Sequence, residues 1–312
     1  MGDNHCQHSL FEKSPLYQLF VSLIIVLGVG ILLFTVFFVA GILIFDADLE
    51  FLKNYSSDFS IKNITFLRYI LISQHISLFI IPAIIILIKL KHDHQISLFG
   101  LKMLRVKEVV LVIVLAFCIF PINSFAGELN SWLHLPYWLS GVEQWIIEKE
   151  KYATHLEDML MTPNTFWAMI FNILIIAVIP AIGEEMIFRG VFQKILSSLF
   201  KSGHLAIWVT AFIFSALHFQ FFGFIPRFIL GLIFGYLFFW SGTLWLPIIS
   251  HFVNNAVSII AAYIQGWENL KATPDIPLWE QILGLPVPII ISIVILLYFR
   301  NKSKKDAEIS IN

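Results

Sequence analysis

Charge is scarce in this chain: 13% of its 312 residues are Asp, Glu, Lys or Arg, against 58% that are hydrophobic. A soluble domain needs about a quarter of its residues charged, so an ordinary soluble fold is excluded. The formal net charge is −1, and the basic residues that do occur sit in loops between apolar runs, which removes nucleic acid as a partner. Cysteine is scarcer still. Cys6 lies in the N-terminal tail and Cys118 inside an apolar run, so no disulfide framework is available. His5 and His8 beside Cys6 make half a metal site with nothing near them to complete it. No internal repeat and no low-complexity tract occur, and the longest polar stretch is the N-terminal sixteen residues, which leaves no room for a soluble domain.

Long hydrophobic runs are what the chain has instead. At about 20 apolar residues per crossing, eight spans are predicted, near 19–45, 64–90, 108–126, 165–189, 205–221, 224–240, 244–264 and 286–299. The fold class is therefore an all-α polytopic membrane protein of about eight transmembrane helices. The first run is too long for the core of a signal peptide and is read as a retained span. Lys89, Lys91, Lys102, Arg105 and Lys107 cluster between spans two and three, and Arg300, Lys302, Lys304 and Lys305 follow the last span. Both clusters, with Lys194 and Lys201, are assigned to the cytoplasm together with both termini, by the excess of basic residues in cytoplasmic loops. Asp46, Asp48, Glu50 and Asp58 mark the loop at 46–63 as extracytoplasmic. Glu143, Glu148, Glu150, Glu157 and Asp158 do the same for 127–164, where Trp132, Trp138 and Trp145 suit a segment lying at headgroup depth. Four regions result: N-terminal membrane helices at 1–130, an extracytoplasmic or interfacial loop at 131–164, a core at 165–265, and a last span with a basic tail at 266–312.

Against this background a pair of adjacent glutamates, Glu184 and Glu185, stands inside a predicted span. A charge near the bilayer centre costs about 3 kcal/mol, so an ionisable group there is a functional hypothesis by default. Residues four apart share a helix face. Glu185 can thus pair with Arg189, which lowers the burial cost of both, whereas Glu184 has no such partner on its own helix. His218 follows Phe214 on another apolar run, and His251 with Asn255 projects from a third. Taken singly, an intramembrane histidine serves equally well to bond one helix to another, and a Glu–Arg pair at this spacing is usually structural. Together they point to a shared polar interior within the C-terminal helix bundle.

Glu184-Glu185-x-x-x-Arg189, Phe214-x-x-x-His218 and His251-x-x-x-Asn255 resemble, in order and without substitution, the three motifs of the CPBP intramembrane protease family, also called the CAAX protease and bacteriocin-processing or abortive-infection family. The resemblance covers roughly 160–265. It implies an intramembrane endopeptidase similar in its core to the type II CAAX prenyl protease, which removes the last three residues of a prenylated protein. In that reading Glu184 activates water, His218 holds or deprotonates it, His251 and Asn255 stabilise the oxyanion, and Glu185 with Arg189 braces the site. The partners implied are the lipid bilayer and a peptide or lipidated protein substrate. Cofactor use stays open between two forms. One is a divalent metal, with Glu184, His218 and His251 as ligands of a zinc that keeps a fourth position open. The other is a metal-free glutamate mechanism, favoured because Asn255 suits an oxyanion donor better than a zinc ligand. No His-Glu-x-x-His, no Gly-x-Gly-Asp and no Gly-x-Ser in a suitable span supports another class of intramembrane protease.

Rival readings are a proton-coupled transporter, against which the absence of an inverted repeat counts, and a proteolytically inactive membrane scaffold or immunity protein. Gly231-x-x-x-Gly235 is read as a close-packing face. His92 and His94 are read as solvated, and Asn54 and Asn63 as nominal glycosylation acceptors. Depth poses a conflict. At about 1.5 Å per residue, Glu184 falls roughly 28 Å into span four, near its cytoplasmic end, and His218 roughly 20 Å up span five, so the two are expected at different levels although the motifs require them together.

Overall fold

The structure, a computed structural model, describes residues 13–47, 61–90, 104–133, 135–161, 165–271 and 276–311. His5, Cys6, His8, Asp48, Glu50, Asn54, Asp58, Lys91, His92, His94 and Lys102 lie outside the described residues. The described residues form helices and no strand. In chain order we label them α1 (Pro15–Phe45), α2 (Lys62–Lys89), α3 (Val106–Ser131), α4 (Ser140–Met161), α5 (Phe166–Phe200), α6 (Gly203–Ala216), α7 (Phe224–Ser241), α8 (Trp245–Gln265), α9 (Trp267–Lys271), α10 (Leu278–Gly284) and α11 (Pro286–Ile311).

Seven described segments are long and apolar enough to cross a membrane: α1, α2, α3, α5, α7, α8 and the run Leu278–Lys305 that joins α10 to α11. The eighth expected span, near 205–221, is helical over a shorter stretch. It is α6, only 14 residues long, about 21 Å at the helical rise, short of the roughly 30 Å hydrocarbon core. Its partner α5 runs 35 residues, well past the expected end at 189. Lys201, at positive φ, stops α5, and Ser202 caps α6 by accepting from the Leu205 amide. The two helices are thus joined by a tight turn.

Large apolar side chains such as Leu16, Phe20, Leu27, Leu32 and Leu43 on α1, and Ile290, Ile293 and Val294 on α11, are exposed. Polar side chains including Glu184, Glu185, Arg189, Gln193 and His251 are buried. That inversion is what a lipid solvent demands, because polar groups facing hydrocarbon would go unsatisfied.

The packing joins the two halves of the chain. One core cluster sets Ile25 of α1 and Ala83, Ile86 and Leu87 of α2 against Ala181, Met186 and Val191 of α5 and Ile248 of α8. Another sets Val112, Leu115 and Ile119 of α3 against Phe234 and Leu237 of α7 and Ile295 and Phe299 of α11. At one end of the bundle Lys302 reaches the Glu108 carboxylate and Lys107 lies 4.8 Å from the Tyr298 ring centre, so the basic start of α3 and the basic end of α11 share a side. At the other end α4 packs Met159 and Leu160 on Ile64, Phe66 and Leu67 of α2. The stretch 140–161, expected as part of a loop, is a helix; Trp132, Trp138 and Trp145 are exposed around its start. Asn63 is buried within α2, which overturns its reading as a glycosylation acceptor, since such a site needs a surface loop.

Candidate active site

The middle of α5 departs from regular α-helix on both sides of the glutamates, with π-helical turns at Ile173–Val178 and Met186–Gln193. Such turns cluster at functional sites because they re-aim side chains. Here the glutamates head two different faces. On one, Glu185 Oε1 accepts from Arg189 Nη1 at 2.9 Å, and Arg189 Nη2 donates to the Gly231 carbonyl at 3.1 Å. One turn on, Gln193 Nε2 donates to the Gly235 carbonyl, also at 3.1 Å. The register 189 to 231 and 193 to 235 makes α5 and α7 run parallel here. The Arg189 guanidinium lies 4.9 Å from the Phe214 ring centre and 5.5 Å from that of Phe234. Aromatic faces, a carboxylate and a carbonyl together replace its hydration. Gly231 and Gly235 also let α7 approach α6: a Cβ on either would come within 2.9 Å of Ala211 or 2.8 Å of Ile207. The sequence supplied the packing role of these glycines but not their carbonyls' role as acceptors.

His251 of α8 connects this face to the other. Its ring stacks on Phe234 with centroids 5.1 Å apart, and its Nδ1 lies 3.0 Å from Glu185 Oε1. A carboxylate paired with arginine accepts only, so Nδ1 carries the proton. Nε2 then points at Glu184 Oε2, 3.9 Å away, too far for a direct hydrogen bond.

Glu184, which has no partner on its own helix, does find partners on others. Besides His251, its Oε1 lies 3.3 Å from Nε2 of His75 on α2, a residue that reading the motifs missed. The available signal was an ionisable group inside the second apolar run, the same anomaly that drew attention to Glu184. Gly183 explains the approach of α2. A Cβ there would sit 3.0 Å from Ile80 and 3.1 Å from Phe79, so the glycine next to Glu184 is what admits the helix that carries His75.

His218 lies beyond the end of α6, in the turn to α7. Its Nδ1 donates to the Phe214 carbonyl at 2.8 Å, which leaves Nε2 as the free nitrogen, and it sits within electrostatic range of Glu184 and His251. Several groups fix this turn. Asn130 of α3 donates to the Phe221 carbonyl and accepts from the Ile225 amide. Ser215 donates to the Phe224 carbonyl, and Arg227 donates to Gln220. From outside, Glu150 of α4 faces Arg227; burial pushes its carboxyl up from the ordinary range, against the pull of that guanidinium and of the Phe222 amide.

The expected depth conflict disappears because α5 continues to Phe200. Glu184 is sixteen residues from that end and His218 fifteen from the start of α6, about 24 and 22 Å from the same turn.

Asn255 is placed differently from the expected oxyanion donor. Its Nδ2 donates to the Ile176 carbonyl at 3.0 Å, and its Oδ1 accepts from Asn254 at 3.3 Å. Ile176 lies in the π-helical turn of α5, shortly before Pro180, which has no N–H to donate. Asn255 therefore supplies a donor to a main-chain carbonyl of that turn, with one further N–H remaining on the amide.

As to metal, Glu184, His218 and His251 form the donor set that zinc would need, but among the described residues no three such side chains converge on one metal position. In this geometry His251 Nδ1 is committed to Glu185, and Nε2 to the direction of Glu184. A carboxylate behind one ring nitrogen and a free second nitrogen is also how a metal-ligating histidine is held, so it is the spacing of the groups and not their chemistry that keeps them from one metal position.

Residues 165–257 match the sequence model of the family described as type II CAAX prenyl endopeptidase Rce1-like. A Bacillus subtilis (strain 168) protein, YpbD, is similar at 32% identity over 90 residues, which is 28% of this chain and 43% of that relative. The match thus spans less than half the length of this curated relative. No solved structure matches the chain.

Proposed function

We propose, from the match of residues 165–257 to the type II CAAX prenyl endopeptidase Rce1-like family, that this chain is an intramembrane endopeptidase acting on a membrane-associated or lipidated protein or peptide. The observation that carries this reading is the setting of Glu184: a buried carboxylate with one oxygen toward His75 and the other toward His251, while Glu185 is held by Arg189. Glu184 takes a proton from water as its oxygen attacks the scissile carbonyl carbon. The C–N bond then breaks, and the proton passes to the leaving amine. His218 offers Nε2 to orient that water. His251, whose imidazolium form the Glu185 carboxylate favours, donates from Nε2 to the developing oxyanion when that nitrogen is protonated as well as Nδ1, and the second N–H of Asn255 lies on the same helix one turn away. We assign the basic ends of α3 and α11 to the cytoplasm with both termini, in a bacterial plasma membrane.

The test is cleavage by the purified chain in phosphatidylethanolamine–phosphatidylglycerol liposomes of three peptide sets: prenylated, unlipidated but otherwise identical, and apolar membrane-spanning. Cleavage of one set by wild type and not by Glu184→Gln, with the variant folded, supports the reading. Equal behaviour of the two proteins across all sets overturns it. Assay and metal analysis with and without chelator decide cofactor use: loss of activity with a stoichiometric metal would replace the glutamate-only mechanism.

A further inference from the structure

Resting on the endopeptidase reading, we infer that His75 is a positioning residue of the site, holding Glu184 by one oxygen so that the other faces His251 and the reacting water. Three observations converge. First, the imidazole is fixed before it meets the glutamate. Its Nδ1 lies 3.0 Å from the Leu71 carbonyl, an acceptor only, so Nδ1 is the protonated nitrogen. The ring also stacks on Phe79, centroids 5.4 Å apart at 25°. Both contacts are within one turn on α2, so the orientation of Nε2 is set locally and owes nothing to Glu184.

Second, Nε2 meets Glu184 Oε1 at 3.3 Å. With Nδ1 already a donor, the contact is a hydrogen bond that leaves Glu184 ionised when Nε2 is protonated too, and Nε2 then donates to Oε1 and pins it. A carboxylate pinned at one oxygen has its plane fixed, which directs Oε2 to the His251 side. A buried base that could swing would spend its time off the reacting geometry, and misplacement of about 1 Å costs on the order of 100-fold.

Third, the approach is built in the backbone of both helices. Gly183 removes the Cβ that would push Ile80 and Phe79 away, and α2 changes to a π-helical turn at Ile76–Ile80, directly after His75. Neither feature belongs to the three motifs on which the C-terminal half is recognised. The matched segment begins at residue 165, so His75 is contributed by a helix outside it. The N-terminal spans thereby do more than anchor the core.

The experiment compares wild type with His75→Leu, which removes the donor, and His75→Gln, whose side-chain amide places an N–H near the position of Nε2. All are full-length chains in the same liposomes, assayed on the peptide that wild type cuts best. The inference expects His75→Leu to lower kcat by about 100-fold with KM within about threefold, and His75→Gln to recover kcat to within about tenfold of wild type. Each is also combined with Glu184→Gln, and Tm is measured without substrate. The shift caused by His75→Leu should be clearly smaller when Glu184 is already glutamine, because the interaction removed is with that carboxylate. An unchanged kcat in His75→Leu overturns the inference, and so does an equal loss in Leu and Gln variants. If wild type cuts no peptide, the endopeptidase reading falls by itself, and Tm alone decides: additive shifts overturn the contact, non-additive shifts support it.

Discussion

Two neighbouring carboxylates occupy opposite conditions. Glu185 belongs to a face where charge has been matched by fixed groups: Arg189 on it, Gly231 beneath the arginine, Gln193 on Gly235 a turn later. Glu184 belongs to a face where the two nearest polar side chains are imidazoles, at 3.3 and 3.9 Å, with a third, His218, in range. The first face resembles a bolt between α5 and α7, since arginine and carboxylate have no proton to trade at ordinary pH. The second consists of groups whose protons are readily moved. One residue of separation along α5, about 100° of rotation, divides support from chemistry. His251 belongs to both, with Nδ1 on Glu185 and Nε2 toward Glu184, so the rigid face sets the tautomer of the reactive one.

The largest effect that could break this division is on activity. Glu184→Gln keeps size and hydrogen bonding but removes the base, and should lower kcat by about 100- to 10,000-fold while Tm stays near that of wild type. If Glu185→Gln showed that pattern instead, the assignment of the two faces would be reversed.

Next in size is stability. Glu185→Ala leaves the buried Arg189 charge without its carboxylate, at a cost of about 3–5 kcal/mol, read as a fall in Tm and in detergent-solubilised half-life. Replacing both residues, Glu185→Leu with Arg189→Leu, should recover a large part of that loss, because an apolar pair removes the unpaired charge along with the bridge. A single substitution that cost nothing would show the bolt to be idle.

Much of this was legible in the sequence because the signals were local. A charge inside an apolar run announces itself, and an i,i+4 pair can be read off spacing, so Glu184, Glu185 and Arg189 stood out, as did the segments carrying His218 and His251. Span limits and depth were less legible: the turn at Lys201–Ser202 looks no different from the end of an interfacial stretch, so α5 was ended eleven residues early, and the run expected at 205–221 is helical only through Ala216. His75 and Asn130 went unseen for another reason. Each acts on a residue about a hundred positions away, and no periodicity within one helix encodes such a partner. The contact of Asn255 with the Ile176 carbonyl lies on a different helix, at a π-helical turn that spacing within α8 does not encode.

That pairing sharpens the comparison on a smaller scale. If Asn255 chiefly serves the backbone, Asn255→Ala costs about 1–3 kcal/mol for a buried carbonyl that loses this donor. A pure oxyanion donor predicts otherwise: kcat lowered but stability unchanged in Asn255→Ala. Thermal melts and kcat measured on wild type and variant separate the two.

The smallest expected effect lies outside the membrane helices, at the contact between α4 and the turn that bears His218. Burial raises the Glu150 carboxyl above its ordinary 4.5, so it is harder to ionise in the folded chain than in the unfolded one. Its charged form therefore destabilises the fold above the raised value, and that penalty disappears as pH falls toward 4.5. Glu150→Gln, neutral at every pH, should accordingly melt higher than wild type near about pH 8 and lose that advantage by about pH 5. A constant difference would mean that Glu150 is as well solvated folded as unfolded. The opposite trend, with wild type gaining as pH rises, would mean that Arg227 outweighs burial, and that α4 is clamped by an ion pair to the turn carrying His218.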